Sequence, residues 1–171
     1  MKSSTLRALA VGLGVLVLAA DRVSKLLVER VLGTPPRSVE VIGDALRFSY
    51  VRNYGVVFGI GSASRSSYRE HILVAMSVLA IVLLGAYFAR VSASRRSLLF
   101  GLALVLGGAA GNLFDRHRLG YVIDFIDVSL YFMRWWTFNI ADAAICVGVG
   151  LMGLDLLAKP EADSRRAAVP R

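Results

Sequence analysis

The chain is poor in the residues on which disulfide scaffolds, zinc peptidases and soluble domains depend. Its 171 residues include one cysteine, Cys146, so no disulfide can form within the chain. Its two histidines, His71 and His117, lie far apart and belong to no HExxH string, which argues against a zinc peptidase. Charged residues make up only 19% of the chain, which argues against a soluble domain. Cys146 lies in an apolar run, and we expect it to be a small packing residue.

Hydrophobic residues make up 56% of the chain, and they are gathered into runs long enough to cross a bilayer. Ile72–Ala89 and Ser97–Phe114 are each 18 residues long without a charged side chain. At a rise of 1.5 Å per residue each helix would reach about 27 Å, close to the hydrocarbon thickness of roughly 30 Å. A third run, residues 137–158, is interrupted only by Asp142 and Asp155. These runs predict a membrane protein.

The first apolar run, Ala8–Ala20, is short and follows basic residues, so it is also compatible with a cleaved signal peptide. The residues after it favour a retained span instead. Asp21, Lys25 and Glu29 are spaced four apart and fall on one stripe of a helix, while the opposite side stays apolar. We therefore predict one long first helix whose polar stripe faces the other helices.

The predicted fold is a mainly α-helical membrane protein with one four-span domain, residues 1–158. The spans are predicted at about residues 6–32, 71–89, 97–114 and 138–158. Four spans place both termini on one side, and the short basic turn with Arg90, Arg95 and Arg96 favours the cytoplasmic side. Residues 159–171 read as a polar, disordered cytoplasmic tail. The net charge of +8 is attributed to lipid head groups, not to a nucleic-acid partner.

Between the first two spans, residues 39–58 alternate apolar and polar side chains, which is typical of strands. Gly43-Asp44 suits a tight turn between them. We predict a small extracytoplasmic antiparallel sheet there, followed by a polar loop over residues 59–70. An interfacial belt of aromatic residues is also predicted before the last span, at Tyr131, Phe132, Trp135, Trp136 and Phe138.

Asp142 and Asp124 are the most informative residues, because both carboxylates lie in apolar surroundings. An acidic residue near the centre of a membrane helix costs roughly 2.5–3.5 kcal/mol even on the lenient insertion scale, and such residues usually carry function. Two carboxylates in a low-dielectric site can share one proton, as an aspartic protease requires. The structural alternative is that Asp142 pairs with Lys25 or Arg116.

Further polar residues gather at the same ends of the predicted spans. Asn112 and Asp115 are three residues apart, as are Asn139 and Asp142, so each pair shares a helix face. The ends of the four spans should meet in a pocket where Asp124 and Asp142 face each other. The residues expected around them, as substrate-binding or supporting groups, are Asn53, Gly55, Asn112, Asp115, Arg116, Asn139, Asp21 and Lys25.

Several acidic residues of this region have simpler interpretations. Asp115 is expected to orient Arg116 or anchor a loop, and Asp127 to be an exposed residue of the interfacial segment. Asp21 and Lys25 are expected to pair at the cavity edge. Ser24 precedes Lys25 directly, and adjacent residues point to different helix faces, which argues against a serine–lysine protease.

Three strings carry a resemblance to a known family. They are GNLFDR at residues 111–116, VIDF at 122–125 and FNIAD at 138–142, in an order and spacing that agree with the spans. With these strings the chain, from about Asp21 to Leu157, resembles the lipoprotein signal peptidases (signal peptidase II), which are bacterial membrane aspartic proteases.

The resemblance implies that Asp124 and Asp142 are the catalytic pair. It implies a prolipoprotein substrate whose cysteine carries diacylglycerol, and cleavage on the amino side of that cysteine. It further implies the bacterial inner membrane, a site near its outer face and no metal or organic cofactor. The expected partners are the substrate and membrane lipid, with the protein acting as a monomer.

One string departs from the family pattern Asn-Thr-Gly-Ala-Ala-Phe. This chain has Tyr54, Val56 and Val57 between the retained Asn53, Gly55 and Phe58. The larger side chains predict an altered fit around the substrate or an inhibitor. Two other classes remain: a small proton-coupled transporter subunit that uses the intramembrane aspartates, and a non-catalytic assembly factor.

Overall fold

The structure is a computed structural model that describes residues 2–33, 35, 37–55, 67–130, 133–134 and 136–158. Three predictions concern residues outside this set. They are the polar tail at 159–171, most of the loop at 59–70, and the belt residues Tyr131, Phe132 and Trp135. The bulky residues Val56 and Val57 also lie outside the described residues.

Four helices form the body of the protein: α1 (Ser3–Leu32), α2 (Ser67–Arg90), α3 (Arg96–Leu119) and α4 (Ile140–Leu157). Each contains a stretch long and apolar enough to cross a membrane. The four predicted spans are therefore confirmed, although α3 continues five residues beyond its apolar run.

Helix α3 lies at the centre of the bundle and packs against the other three helices. Glycines allow the backbones to approach closely at these contacts. A Cβ atom on Gly107 would collide with the backbone of Gly14 in α1. Between α3 and α4, a Cβ on Gly101 would lie 2.7 Å from the carbonyl oxygen of Gly148. Substitution at these positions would force the helices apart, because atoms this close repel strongly.

Cys146 is exposed on α4, so the expectation of a packing residue is wrong. The buried residues of α4 are Ala141, Ala144 and Gly148, which recur every three or four positions and form its inner face. Cys146 is two residues beyond Ala144 and therefore points away from that face.

An antiparallel sheet of four strands joins the helices: β1 (Ser38–Ile42), β2 (Leu46–Asn53), β3 (Val122–Leu130) and β4 (Met133–Arg134), in that order. The predicted hairpin of β1 and β2 is confirmed. Its turn places Gly43 at φ +45°, and the Ala45 N–H donates to the Ile42 carbonyl oxygen at 3.0 Å. Strand β3 was not predicted from the sequence, and it extends the sheet into the segment after α3.

A buried cluster fixes the sheet to the end of α1. It consists of Val28 and Leu32 from α1, Tyr50 from β2, and Ile123 and Phe125 from β3. Burial of apolar side chains stabilises such a contact by roughly 25 cal/mol per Å². The start of β3 is thereby held beside the ends of α1, α3 and α4, where the polar residues gather.

Candidate active site

Asp124 lies on β3 with its side chain enclosed by the protein, because the residue is only 2% exposed. Each carboxylate oxygen accepts a hydrogen bond from an amide. The Asn139 Nδ2 donates to Oδ1 at 2.7 Å, and the Asn53 Nδ2 donates to Oδ2 at 2.9 Å. Both donors are neutral, so they orient the carboxylate without neutralising it.

Asp142 lies in the first turn of α4 and is oriented by the start of that helix. Asn139 is the N-cap: its Oδ1 accepts from the Asp142 backbone N–H at 2.9 Å, and its own backbone N–H donates to the Asp142 Oδ2 at 3.3 Å. This reciprocal arrangement is a capping box, and it fixes the Asp142 side chain relative to Asn139. Asn139 therefore binds both aspartates.

A second amide completes the connection between the two carboxylates. The Asn112 Nδ2 on α3 donates to the Asp142 Oδ1 at 2.8 Å. The Asn112 Oδ1 accepts from the Asn139 Nδ2 at 3.2 Å and from the Lys25 Nζ at 3.1 Å. Counting Asn53, three asparagines thus join two helices, α3 and α4, to two strands, β2 and β3. We call the two carboxylates held in this way the dyad (Asp124 and Asp142).

Burial raises the pKa of Asp124 from 3.8 to about 7. The hydrogen bonds from Asn53 and Asn139 oppose this shift, and the nearby negative charge of Asp142 adds to it. A carboxyl group with a pKa near neutrality can hold or release a proton at physiological pH. This property suits a group that takes part in general acid–base catalysis.

Beside the dyad lies an ionic cluster (Asp21, Arg22, Lys25 and Asp115). The Lys25 Nζ is fully buried and lies 2.7 Å from the Asp21 Oδ2 and 2.8 Å from the Asp115 Oδ2. Arg22 pairs with the other oxygen of Asp115. Asp115 also accepts the Ile123 backbone N–H at 3.2 Å, next to Asp124. The cluster therefore joins α1 and α3 to the strand that carries the dyad residue.

Most of the predicted site residues are brought together. The dyad is contacted directly by Asn53, Asn112 and Asn139. Gly55 acts on it only through Asn53. Gly55 adopts φ +77°, which favours glycine, and its N–H donates to the Asn53 Oδ1 at 2.8 Å. The three asparagines and this turn make a preorganised set of donors around the carboxylates.

Arg116 takes a less direct part than Asn112. Its side chain is partly buried and interacts electrostatically with Asp142, Asp124 and Asp115. Within the described part of the chain, its guanidinium forms no hydrogen bond with either dyad carboxylate. Asp115, expected to orient Arg116 or anchor a loop, pairs with Lys25 and Arg22 and also binds the Ile123 backbone N–H in the segment after α3.

The structure corrects two expectations for the charged residues. Asp21 and Lys25 do pair, but both are 0% exposed and so do not line a cavity edge. Asp142 is partly buried, and Lys25 pairs with Asp21 and Asp115 in its place. The alternative of a structural Asp142–Lys25 ion pair is therefore wrong, and a serine–lysine arrangement is excluded because Lys25 is bound by acids.

Asp127 is only 3% exposed, so the expectation of an exposed interfacial acid is wrong. It lies on β3, and the Ser49 hydroxyl donates to its Oδ2 at 3.3 Å. The sequence interpretation also missed Arg22. Its position three residues before Lys25 places it near the same helix face, and that spacing is the signal that could have identified it.

Among the residues that the structure describes, no group of three or more His, Cys, Asp or Glu side chains is arranged to hold a metal ion. The chemistry available at the site is that of two carboxylates with amide donors. Such a site can activate a water molecule and protonate a leaving group.

Comparison with known proteins agrees with this geometry. A sequence profile of the family described as Signal peptidase (SPase) II matches residues 13–158. The chain belongs to the signal peptidase II family. It is 40% identical over 152 residues to the lipoprotein signal peptidase of Solibacter usitatus, covering 89% of this chain and 92% of the relative. It is 36% identical over 148 residues to that of Geobacter metallireducens, covering 86% and 90%.

Solved structures share the fold of this signal peptidase II chain. Two structures described as a bacterial membrane enzyme, at 1.9 and 2.3 Å resolution, superpose with TM-scores of 0.78 and 0.76 at 27% identity. They cover 89% and 88% of this chain, and 94% and 88% of their own chains. Family membership and the four apolar helices make the chain a multi-pass bacterial membrane peptidase. The alternative of a proton-coupled transporter finds no support in these comparisons.

Proposed function

We propose that this chain removes signal peptides from prolipoproteins with Asp124 and Asp142 as an aspartic catalytic dyad. The observation that carries the proposal is the position of Asn139, which donates to both carboxylates and so holds them in one site. The substrate class follows from the family, whose curated relatives are lipoprotein signal peptidases. The resemblance in the three strings adds cleavage on the amino side of a diacylglyceryl-modified cysteine.

The proposed reaction uses one proton shared by the two carboxylates. The ionised member removes a proton from a water molecule, and that water attacks the scissile carbonyl while the protonated member donates to the carbonyl oxygen. When the tetrahedral intermediate collapses, the C–N bond breaks, the leaving nitrogen takes the proton that was removed from water, and the hydroxyl of the intermediate returns the other proton to the dyad. The raised pKa of Asp124 supports a dyad that keeps one proton near pH 7. The two pKa values belong to the pair, because the groups interact.

The location of the site suits a substrate anchored in lipid. A diacylglyceryl group and a signal peptide both lie in the bilayer, so cleavage has to occur at the membrane surface. Asp142 is in the first turn of α4, where an apolar span begins, and Asp124 is on the sheet that packs against the helix ends. We propose a site at the outer face of the inner membrane, with cytoplasmic termini and a monomeric enzyme.

Arg116 and Asn53 have separate proposed roles. Arg116 supplies a positive charge near the dyad and binds the peptide backbone or the developing oxyanion. Asn53 orients Asp124 through the hydrogen bond of 2.9 Å and is itself fixed by the Gly55 N–H. The proposed role of the ionic cluster is structural: it holds α1, α3 and β3 together and does not contact the substrate.

The test is cleavage of a purified, diacylglyceryl-modified prolipoprotein in detergent micelles. Asp124→Asn and Asp142→Asn keep the shape of the side chain and remove its titration, so each should lower kcat/KM by roughly 100-fold or more. Asp44→Asn is the matched control, because the Asp44 side chain is 87% exposed in the hairpin turn. Full activity in either dyad variant would exclude the aspartic mechanism, and an inactive wild type would exclude the substrate.

A further inference from the structure

A tyrosine–arginine cluster (Tyr50, Arg52, Tyr54 and Tyr121) lies at the end of β2 and the start of β3. The rings of Tyr54 and Tyr121 are 5.4 Å apart between centroids, tilted by 58°. The Arg52 guanidinium carbon lies 5.1 Å from the centroid of the Tyr121 ring and 6.0 Å from that of Tyr50. These distances are in the range of aromatic and cation–π contacts.

The position of the cluster follows from the register of the sheet. Val51 is paired with Asp124, and Asn53 is paired with Val122 as the last pair of β2 and β3. When the same antiparallel register is continued by one residue, Tyr54 stands opposite Tyr121. The tyrosine contact therefore comes directly after the pair that contains Asn53. Cross-strand aromatic pairs of this kind stabilise the register of a sheet.

Asn53 needs such support because it ends its strand. Strand termini open most easily, and an opened end would withdraw the Asn53 amide from Asp124. The turn that follows fixes only the Asn53 Oδ1, through the Gly55 N–H. Tyr54 is 38% exposed; its ring contacts Tyr121, and its hydroxyl interacts with the Arg52 side chain.

We propose that Tyr54 is a positioning residue, whose ring packs on Tyr121 and thereby keeps Asn53 against Asp124. The effect of Tyr54 on cleavage rests on the proposed function, whereas its effect on the position of Asn53 does not. The sequence suggested instead that Tyr54 adds bulk beside the substrate. The two roles differ in their effects: a substrate contact alters KM, and a positioning contact alters the titration of the dyad.

The electrostatics of Asp124 make the second effect measurable. The Asn53 hydrogen bond favours the ionised carboxylate, so its loss moves the pKa of Asp124 further upward. The charged groups around Asp124 are Asp142 from α4, Lys25 from α1 and Arg116 from α3. Substitution of Tyr54 leaves all three in place. A higher pKa of Asp124 in a Tyr54 variant therefore reports the loss of the hydrogen bond from Asn53.

The experiment measures kcat/KM against pH for the full chain in detergent, using Tyr54→Ala, Tyr54→Phe, Asn53→Ala and the Asn53→Ala/Tyr54→Ala double variant. Tyr54→Ala should lower kcat/KM by roughly tenfold, which is the upper range for the loss of an aromatic pair. It should also move the alkaline limb of the profile to higher pH, and Asn53→Ala should do the same. Tyr54→Phe keeps the ring and should retain the wild-type profile. The double variant should match Asn53→Ala alone. Tyr68→Ala is the matched control, because that tyrosine is 82% exposed.

Additive losses in the double variant, or a higher KM with an unchanged pH profile, would overturn the proposal. A second readout needs no substrate. The carboxyl stretching band of Asp124, identified by its absence in Asp124→Asn, is titrated by infrared spectroscopy. Tyr54→Ala should shift this titration upward even if the chain cuts no prolipoprotein, and an unshifted band in a folded variant would exclude the positioning role. Cleavage by the wild type reports on the proposed function separately.

Discussion

The dyad and the ionic cluster each hold two aspartates close together, but they use different partners. Asp124 and Asp142 are bound by the neutral amides of Asn53, Asn112 and Asn139. Asp21 and Asp115 are bound by the cations of Lys25 and Arg22. A cation at contact distance supplies the opposite charge that a buried carboxylate needs, whereas an amide orients the carboxylate without adding charge. The ionic cluster therefore has the composition of a structural ion-pair network, whereas the dyad has that of a site with carboxylates and neutral donors.

The largest expected effect comes from breaking the ionic cluster. Lys25→Ala would leave Asp21 and Asp115 buried without their shared cation, which should lower the free energy of unfolding by about 3–5 kcal/mol. The measurement is an unfolding titration in detergent. Arg47→Ala is the control, since it pairs with an exposed carboxylate of Asp44 and should cost about 1 kcal/mol or less. Equal losses in the two variants would contradict the importance assigned to the cluster.

The next effect comes from removing the amides of the dyad. Asn139→Ala should lower kcat/KM by roughly 100-fold, as loss of a preorganised donor does elsewhere, and cost about 1 kcal/mol from the lost helix cap. Asn139→Ser separates the two roles, because serine also caps helices but lacks the amide donors. We expect Asn139→Ser to recover the stability and not the activity. Recovery of both would mean that only the cap matters.

A third variant makes the dyad resemble the ionic cluster. Asp124 loses its proton as the pH rises through about 7, so wild-type cleavage should decline above that pH. Asn53→Lys places a cation beside Asp124 and should lower its pKa, because an opposite charge favours the ionised carboxylate. The alkaline limb of the pH profile should then move to lower pH, opposite in direction to the shift in Asn53→Ala. If the alkaline limb does not move, a group other than Asp124 controls the loss of cleavage at high pH.

The smallest effect is expected at the opposite end of the bundle. Asp155 pairs with Arg95 beside the turn between α2 and α3, and its side chain is 12% exposed. Asp155→Asn keeps an oxygen that can accept from Arg95, so it should cost only about 1–2 kcal/mol, and it should leave kcat/KM unchanged because the pair lies away from the dyad. Thermal unfolding and the cleavage assay check both parts. A large loss of cleavage would connect this end of the protein to the dyad.

The helices and the hairpin could be predicted from the sequence because their signals are local. Long uncharged runs gave the spans, and Gly43-Asp44 gave the turn. Helix α3 continues to Leu119, five residues beyond the predicted span, and Asn112 and Asp115 on it turn inward to polar partners. The polar residues Asn112 and Asp115 therefore mark a buried site within the helix and not the end of the helix.

Strand β3 could not be predicted, because its first half is buried on both faces. Val122, Ile123, Asp124 and Phe125 are each at most 4% exposed. A strand without an exposed face shows no alternation of polar and apolar residues, and alternation is the signal on which the sequence argument relied. The error for Asp127 has the same origin. The tyrosine contact between Tyr54 and Tyr121 was equally hidden, since it depends on the register between β2 and β3.

The double use of Asn139 has a consequence for the local stability of the enzyme. The same side chain closes the first turn of α4 and donates to Asp124. Fraying of that turn would therefore also withdraw an amide donor from Asp124, so the local stability of the start of α4 and the geometry of the candidate site are linked.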